Sequence, residues 1–465
     1  MSVVDLARGL VLRTNRWPAL ERIYHHAYEL GLNFTTRRLE SLPDIIAVLL
    51  RVGEDGRVWV PGLSDYDLTL LTEPCTPSRM IGVLEDVWAR YRRIKRYVPQ
   101  LGETEILNLG EYEDLLSFGP PPTASLKRAQ PLFVRSGRPD VERVLQRSAP
   151  APQERDFLLD AVSRYVRFFV PAWLDHVSEP SHVSGQRAEH LLGNVRKRLQ
   201  VLELAEETPP RTTFADRTLC LFNDLSRACR RITSRVDEGA PVVCPGSRPV
   251  RGEAIAAVRA FCTDALRHTK VHDCSIIVWV SYMSSDTLNL VFVIPDETPG
   301  PELWRLVTSL GSAHRQTKGL WSSLFTNGEL QAYFPSFSYP VVVSRSIWSC
   351  WRELSPFDGA AVAANGRTLM GPENGLRSVP STAALKRGAA IQYTALLSLK
   401  NNWRPLPGSG TPRLYGSMIN YVKGYASAAS GSVLTSPTRH DFTSLESAYQ
   451  AVSEELSVLR QTLTR

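Results

Sequence analysis

Gly62-Leu63-Ser64-Asp65-Tyr66-Asp67-Leu68-Thr69-Leu70-Leu71 sets two carboxylates two residues apart at the mouth of an apolar run. The β-branched and leucine-rich composition of residues 66 to 72 reads as a buried strand. Strand side chains alternate faces, so Asp65 and Asp67 leave on the same side and can serve one cation. A hard divalent ion such as Mg²⁺ (or Mn²⁺) accepts carboxylate oxygens together with substrate phosphates. Transfer onto a hydroxyl is served by two such ions about 3.5 to 4 Å apart.

Upstream, the apolar run Leu42 to Val52 meets a turn at Gly53-Glu54-Asp55-Gly56, then Arg57-Val58-Trp59-Val60 and a second turn at Pro61-Gly62-Leu63. Further back, Pro18 sits in the first turn of an expected helix beginning near residue 15. Downstream, Thr76-Pro77-Ser78 opens a helix. Its Met80, Ile81, Leu84, Val87, Trp88, Tyr91 and Ile94 recur at three- and four-residue intervals along one apolar face. That helix ends in Arg90, Arg92, Arg93, Lys95 and Arg96, and Gly102 to Asn108 reads as the next strand. Strand, helix, strand is an α/β arrangement. Glu105 on this strand is the best third carboxylate, able to hold metal beside an acceptor and to help remove its proton. Glu103, two residues away, shares its face and leaves the choice open.

The segment Gly62-Leu63-Ser64-Asp65-Tyr66-Asp67-Leu68 resembles the S-D-x-D-L signature of the DNA-polymerase-β-like nucleotidyltransferase superfamily, over roughly residues 40 to 110. The resemblance implies a small mixed sheet carrying helices, with two Asp on the metal strand and a third acid on a following strand. It also implies a nucleoside triphosphate donor, ATP among the candidates, with Mg²⁺. Asp65, Asp67 and Glu105 would then be catalytic and metal-binding, with Ser64 and the Gly62 backbone touching phosphate. Nucleoside monophosphate would pass to a hydroxyl acceptor, whether small molecule, protein or RNA, with release of pyrophosphate. The sequence departs from the family where a Gly-Ser phosphate turn is usual: the place after the first apolar run reads Gly53-Glu54. Either Gly62-Leu63-Ser64 supplies the contact, or triphosphate binding is altered, or the domain is an inactive scaffold or an RNA- or protein-binding module.

The length of 465 residues exceeds what one core usually fills. The expected organisation is α+β. A nucleotidyltransferase-like domain over 1–150 is followed by a helical segment over 151–238 that Pro171 and Pro209-Pro210 divide, a second mixed α/β region over 239–380, and C-terminal helices over 381–465. The second region reads as a degenerate copy of the first. Val58-Trp59-Val60 with Ser64-Asp65 is matched by Val278-Trp279-Val280 with Ser285-Asp286, ahead of the strand Leu288 to Ile294, and chance agreement of short words is the competing explanation.

A formal charge of +7 favours anionic partners only mildly at this length. Arg90, Arg93 and Arg96 are candidate phosphate or nucleic-acid contacts, set against an ordinary solvated helix face. Lys386, Arg387, Lys400, Arg404 and Lys423 are expected to be solvated or to line a cleft facing an anionic substrate. His268, His272, Asp273 and Cys274 have metal-like spacing without a partner pair. Seven scattered Cys with no C-x-x-C pair point to a reducing compartment. With no run of 18 apolar residues and no signal-peptide pattern, the expected location is cytoplasmic, away from membranes. No P-loop, G-x-G-x-x-G or G-x-S-x-G motif occurs, which disfavours P-loop hydrolysis, dinucleotide chemistry and the usual serine-hydrolase layout.

Overall fold

The structure, a computed structural model, describes residues 17–51, 65–118, 129–146, 154–202, 213–233, 252–267, 273–280, 288–325, 340–354, 366–371, 382–401, 410–432 and 440–465, with Leu10, Val11, Arg13, Thr14, Thr269, Val362 and Thr438 besides. The chain forms two compact units. The first holds Met1–Pro152, Ala390–Val422 and Arg439–Gln461, and the second Gln153–Ala389, Lys423–Thr438 and Thr462–Arg465.

In the first unit α1 (Pro18–Glu40) starts with a proline where a missing N–H costs nothing. It leads into β1 (Ile45–Leu50), whose six residues are all buried, and the next described strand is β2 (Tyr66–Thr72). Helix α2 (Pro77–Lys95) follows with Thr76 as N-cap and Pro77 in its first turn, burying Met80, Val83, Leu84, Val87, Trp88, Tyr91 and Ile94. Then come β3 (Leu101–Asn108), α3 (Leu109–Phe118), β4 (Gln130–Val134) and α4 (Pro139–Leu145). The sheet order is β3-β2-β1-β4, with β1 antiparallel to both β2 and β4, and β2 parallel to β3. A parallel pair needs a crossover, which α2 supplies.

The second unit opens with α5 (Glu154–Arg164), which runs through a π-helical turn at Tyr165–Phe169 into α6 (Val170–Ser178). Pro171 therefore does not divide the helix as its sequence suggests. The wider turn just before it relieves the clash between the proline ring and the carbonyl four residues earlier. After α7 (His182–Val201), α8 (Phe214–Thr233) and α9 (Gly252–Leu266) come β5 (Ser275–Val280), β6 (Leu288–Ile294), α10 (Gly300–Phe325), β7 (Val341–Ser344), α11 (Arg345–Leu354) and β8 (Arg367–Met370). Its sheet order is β7-β6-β5-β8, with β5 antiparallel to β6 and β8, and β6 parallel to β7.

The two sheets thus repeat one topology, down to the caps. Asn108 ends β3 and accepts from Glu111 N (2.9 Å) to begin α3, and Ser344 ends β7 and accepts from Ile347 N (3.2 Å) to begin α11. In this repeat β5, carrying Val278-Trp279-Val280, takes the place of β1, whereas Val58-Trp59-Val60 and Ser285-Asp286 lie outside the described residues.

The chain closes with α12 (Thr382–Asn401), α13 (Gly410–Ala429) and α14 (Leu445–Thr464). Parts of all three belong to the first unit, where a buried polar network holds them. Lys400 pairs with Glu111, Asn401 Nδ2 donates to Glu111 Oε2 (3.0 Å), and Tyr449 Oη donates to Asn401 Oδ1 (2.8 Å). Asp114 accepts from Tyr393 Oη (2.9 Å) and Arg460 Nε (2.8 Å). Lys400 is therefore a core residue, neither solvated nor lining a cleft. Among the described residues no helix is long and apolar enough to cross a membrane.

Removing one member of a buried ion pair strands the other charge. Glu111→Ala is expected to destabilise the first unit by about 3–5 kcal/mol, and the double change Glu111→Leu with Lys400→Met by much less. Urea unfolding followed by far-ultraviolet circular dichroism would measure both; Trp88 on α2 bonds Asn401 O beside the pair.

Candidate functional site

The edge of the first sheet where β2 and β3 begin gathers the acids. Asp65 and Asp67 do leave the chain on one side: a Cβ added to Gly102 would sit 2.6 Å from both Asp65 Cβ and Asp67 Oδ1. Only glycine at 102 permits that approach. Asp67 Oδ1 accepts from Glu103 N (3.0 Å), and Glu105 lies opposite Thr69 in the parallel register.

The acids meet at an arginine. Arg51 directly follows β1, and its backbone N–H donates to Asp67 O (2.9 Å), which extends the β1–β2 ladder by one residue. Its guanidinium spans three carboxylates: Nη2 lies 3.3 Å from Glu103 Oε2 and 3.9 Å from Asp67 Oδ1, and Nη1 lies 3.4 Å from Glu105 Oε1. Ser398 Oγ on α12 donates to the same Glu105 oxygen (2.8 Å), so a C-terminal helix helps to close off this acid. The Arg51 and Glu105 side chains are each only 12% exposed, against 47% for Asp67 and 80% for Glu103.

Burial disfavours the Arg51 cation, but Glu105, Asp67 and Glu103 together more than offset this and raise its pKa. Asp67 is held above the ordinary carboxylate range, chiefly by burial. Arg51 and the hydrogen bond from Glu103 N oppose that shift, while the charges of Glu103 and Asp65 add to it. Beside the ion pairs, Glu105 Oε2, Thr69 Oγ1 and Arg51 Nε are buried with no hydrogen-bond partner among the described residues.

Glu105 and Asp67 face a guanidinium, and a metal would have to displace it. Among the described residues no group of three or more His, Cys, Asp or Glu is disposed to hold a metal ion. Gly62 and Ser64, the expected phosphate contacts, lie outside the described residues, as do Gly53, Glu54, His268, His272 and Arg404. Asp273 sits in a left-handed turn (φ 61°) and Cys274 is buried just before β5. Arg93 and Arg96 are exposed and Arg90 half-buried on the last turns of α2.

Arg51 is the residue that sequence reasoning passes over. Its signal is slight: one cation ending an unbroken apolar run. Only strand register reveals that it stands across from Asp67.

Counting back from the strand ends, Thr72 pairs with Asn108 as Ile294 pairs with Ser344. Asp67 then corresponds to Asn289, Thr69 to Val291 and Glu105 to Val341. Leu50 pairs with Leu68 as Val278 pairs with Leu290, so Arg51 corresponds to Trp279. Trp279, Asn289, Val291 and Val341 are all buried, and Trp279 packs on Trp348 with ring centroids 5.6 Å apart. The first sheet fills this place with an ion-pair cluster and the second with an indole.

Comparison of the chain with protein-family models, with curated proteins and with solved structures finds no match.

Because the folded chain holds the Asp67 proton more tightly than the unfolded chain, stability falls as pH rises from the ordinary Asp value of 3.8 through the higher folded value. Asp67→Asn is expected to remove this fall, so that the urea midpoint near pH 7 rises relative to the midpoint near pH 4 when set against the parent. Arg51→Met acts in the opposite sense. It removes the cation that opposes the Asp67 shift and leaves Glu105 unpaired, at a cost of about 3 kcal/mol near neutral pH.

Proposed function

We propose that this chain is a non-catalytic scaffold on a polymerase-β-like nucleotidyltransferase fold, duplicated within the chain, that works as an RNA- or protein-binding module. The observation that carries the reading is the Arg51 guanidinium among Asp67, Glu103 and Glu105, where a transferase needs cations that exchange with substrate. Its support is the second sheet, whose corresponding positions are Trp279, Asn289 and Val341 and carry no acid. A mixed sheet with acids on β2 and β3 agrees with the resemblance of residues 62 to 68 to the superfamily signature.

A second reading is Mg²⁺-dependent transfer of a nucleoside monophosphate from a triphosphate to a hydroxyl. Two observations favour it: Asp65 and Asp67 converge on Gly102, and Glu105 Oε2, the oxygen a cation would satisfy, is buried without a partner among the described residues. In that case Arg51 would have to swing out when substrate arrives.

Pyrophosphate release separates the two. The protein is incubated with each nucleoside triphosphate and Mg²⁺ or Mn²⁺, with and without total RNA or a metabolite extract. On the scaffold reading the parent, Asp65→Ala and Asp67→Ala all stay at background, and Mn²⁺ titration finds no nucleotide-dependent site that Asp65→Ala removes. Release that vanishes in Asp67→Ala, with the fold intact by circular dichroism, would sink the reading.

A further inference from the structure

Helices α1 and α2 pack against each other and run antiparallel, as the strands dictate. Helix α1 ends before β1, at the Thr72 end of the sheet, whereas α2 leaves Thr72 and ends before Leu101, which pairs with Tyr66. One close approach sets their relative level. A Cβ on Gly31 would lie 3.2 Å from Val98 Cγ1 and 3.0 Å from Tyr66 Oη, and Tyr66 Oη donates to Tyr28 O (2.5 Å). Six or seven residues onward along α1, and five or six back along α2, are each about 8–10 Å at 1.5 Å per residue. Arg37 and Arg38 therefore stand level with Arg92 and Arg93.

All four are exposed, as is Arg96, and among the described residues none of them is in an ion pair. The stretch from Ala89 to Gln100 contains five cations and no acid; one of the five, Lys95, is turned onto Leu101 O. Asp86, a turn earlier, is the nearest acid before it on α2, and Glu40 closes α1. Unpaired arginines at this density repel one another and destabilise the bare surface, which polyanion binding would reverse.

The same surface carries aromatic rings. Tyr97 is 79% exposed and Phe34 37%, and the Arg38 guanidinium lies 5.3 Å above the Phe34 ring. Ile23 and Leu30, 60% and 57% exposed, continue an apolar stripe along α1. Cations that follow a backbone, beside rings on which bases stack, are what a single strand of nucleic acid requires. A duplex hides its base faces and has no use for the rings.

We propose that the outer surface of α1 and α2 binds single-stranded RNA, through Arg37, Arg38, Arg92, Arg93 and Arg96 to phosphates and through Tyr97 and Phe34 to bases. This deepens the binding-module reading above and rests on it.

The test uses the full-length protein in EDTA without nucleotide, and the fluorescence anisotropy of a labelled single-stranded oligoribonucleotide of about 12 nucleotides, within the usual site size. The parent is expected to bind with log affinity falling linearly in log salt. The triple variant Arg38→Ser, Arg93→Ser, Arg96→Ser should bind at least tenfold more weakly, with a salt slope shallower by about 2, at roughly 0.7 per lost contact. Tyr97→Ala should lose affinity several-fold with the slope unchanged, because stacking releases no counterions. All substituted side chains are exposed, and circular dichroism checks that the fold is kept.

The proposal is overturned if the parent does not bind, or if the triple variant binds like the parent. It is also overturned if a duplex of the same length binds as well as the single strand, or if poly-glutamate competes mole for mole with the RNA, which would point to an acidic protein partner. Binding in EDTA is independent of catalysis. Lost RNA binding with pyrophosphate at background leaves the non-catalytic scaffold standing, and pyrophosphate release overturns the scaffold without touching the RNA result.

Discussion

One cation among three carboxylates organises the first sheet. Arg51 enters through its backbone, which extends the β1–β2 ladder at Asp67, and through its side chain, which reaches Glu103 and Glu105 on β3. It ties three consecutive strands of the sheet at a single point. Without it, Asp67 on β2 and Glu103 and Glu105 on the parallel β3 would repel beside the buried Thr69 and Thr104. A charge pair in low dielectric is worth having only when its geometry is satisfied. Ser398, brought by α12, supplies part of what Arg51 alone does not.

The second sheet meets the same steric demand without charge. Where Arg51, Asp67, Thr69 and Glu105 stand in the first, Trp279, Asn289, Val291 and Val341 stand in the second, on an identical strand order and with equivalent helix caps at Asn108 and Ser344. Burying an indole gives a larger and more secure apolar gain than burying a partly satisfied ion cluster. The polar version is the costlier way to fill this space, so its retention in one unit alone sets the two sheets apart chemically.

Much of the local structure is legible in the sequence because short-range chemistry writes it. Pro18 and Thr76-Pro77 mark helix starts, the spacing of Met80 to Ile94 marks a buried face, and the residues around Glu105 form a strand as their alternation requires. The convergence of Asp65 and Asp67 follows from strand periodicity. What escapes the sequence is what depends on partners distant along the chain. Arg51 looks like the polar end of an apolar run until register sets it across from Asp67. Lys400 looks solvated until Glu111, almost three hundred residues earlier, is brought against it. Pro171 looks like a helix break, and a single wide turn absorbs it. The sequence hints at the repeat by setting Val278-Trp279-Val280 against Val58-Trp59-Val60, but the topology sets β5 against β1, with which it shares almost nothing beyond aliphatic residues.

The first unit is completed by segments made last. Glu111 and Asp114 lack their partners until Lys400, Tyr393 and Arg460 arrive, and the whole of the second unit's main segment is synthesised in between. At ribosomal rates that delay is on the order of tens of seconds. Until then these two acids keep their water, and their partners come with α12 and α14. A chain cut before residue 390 would carry the first unit's residues up to Pro152 without the segments that satisfy Glu111 and Asp114.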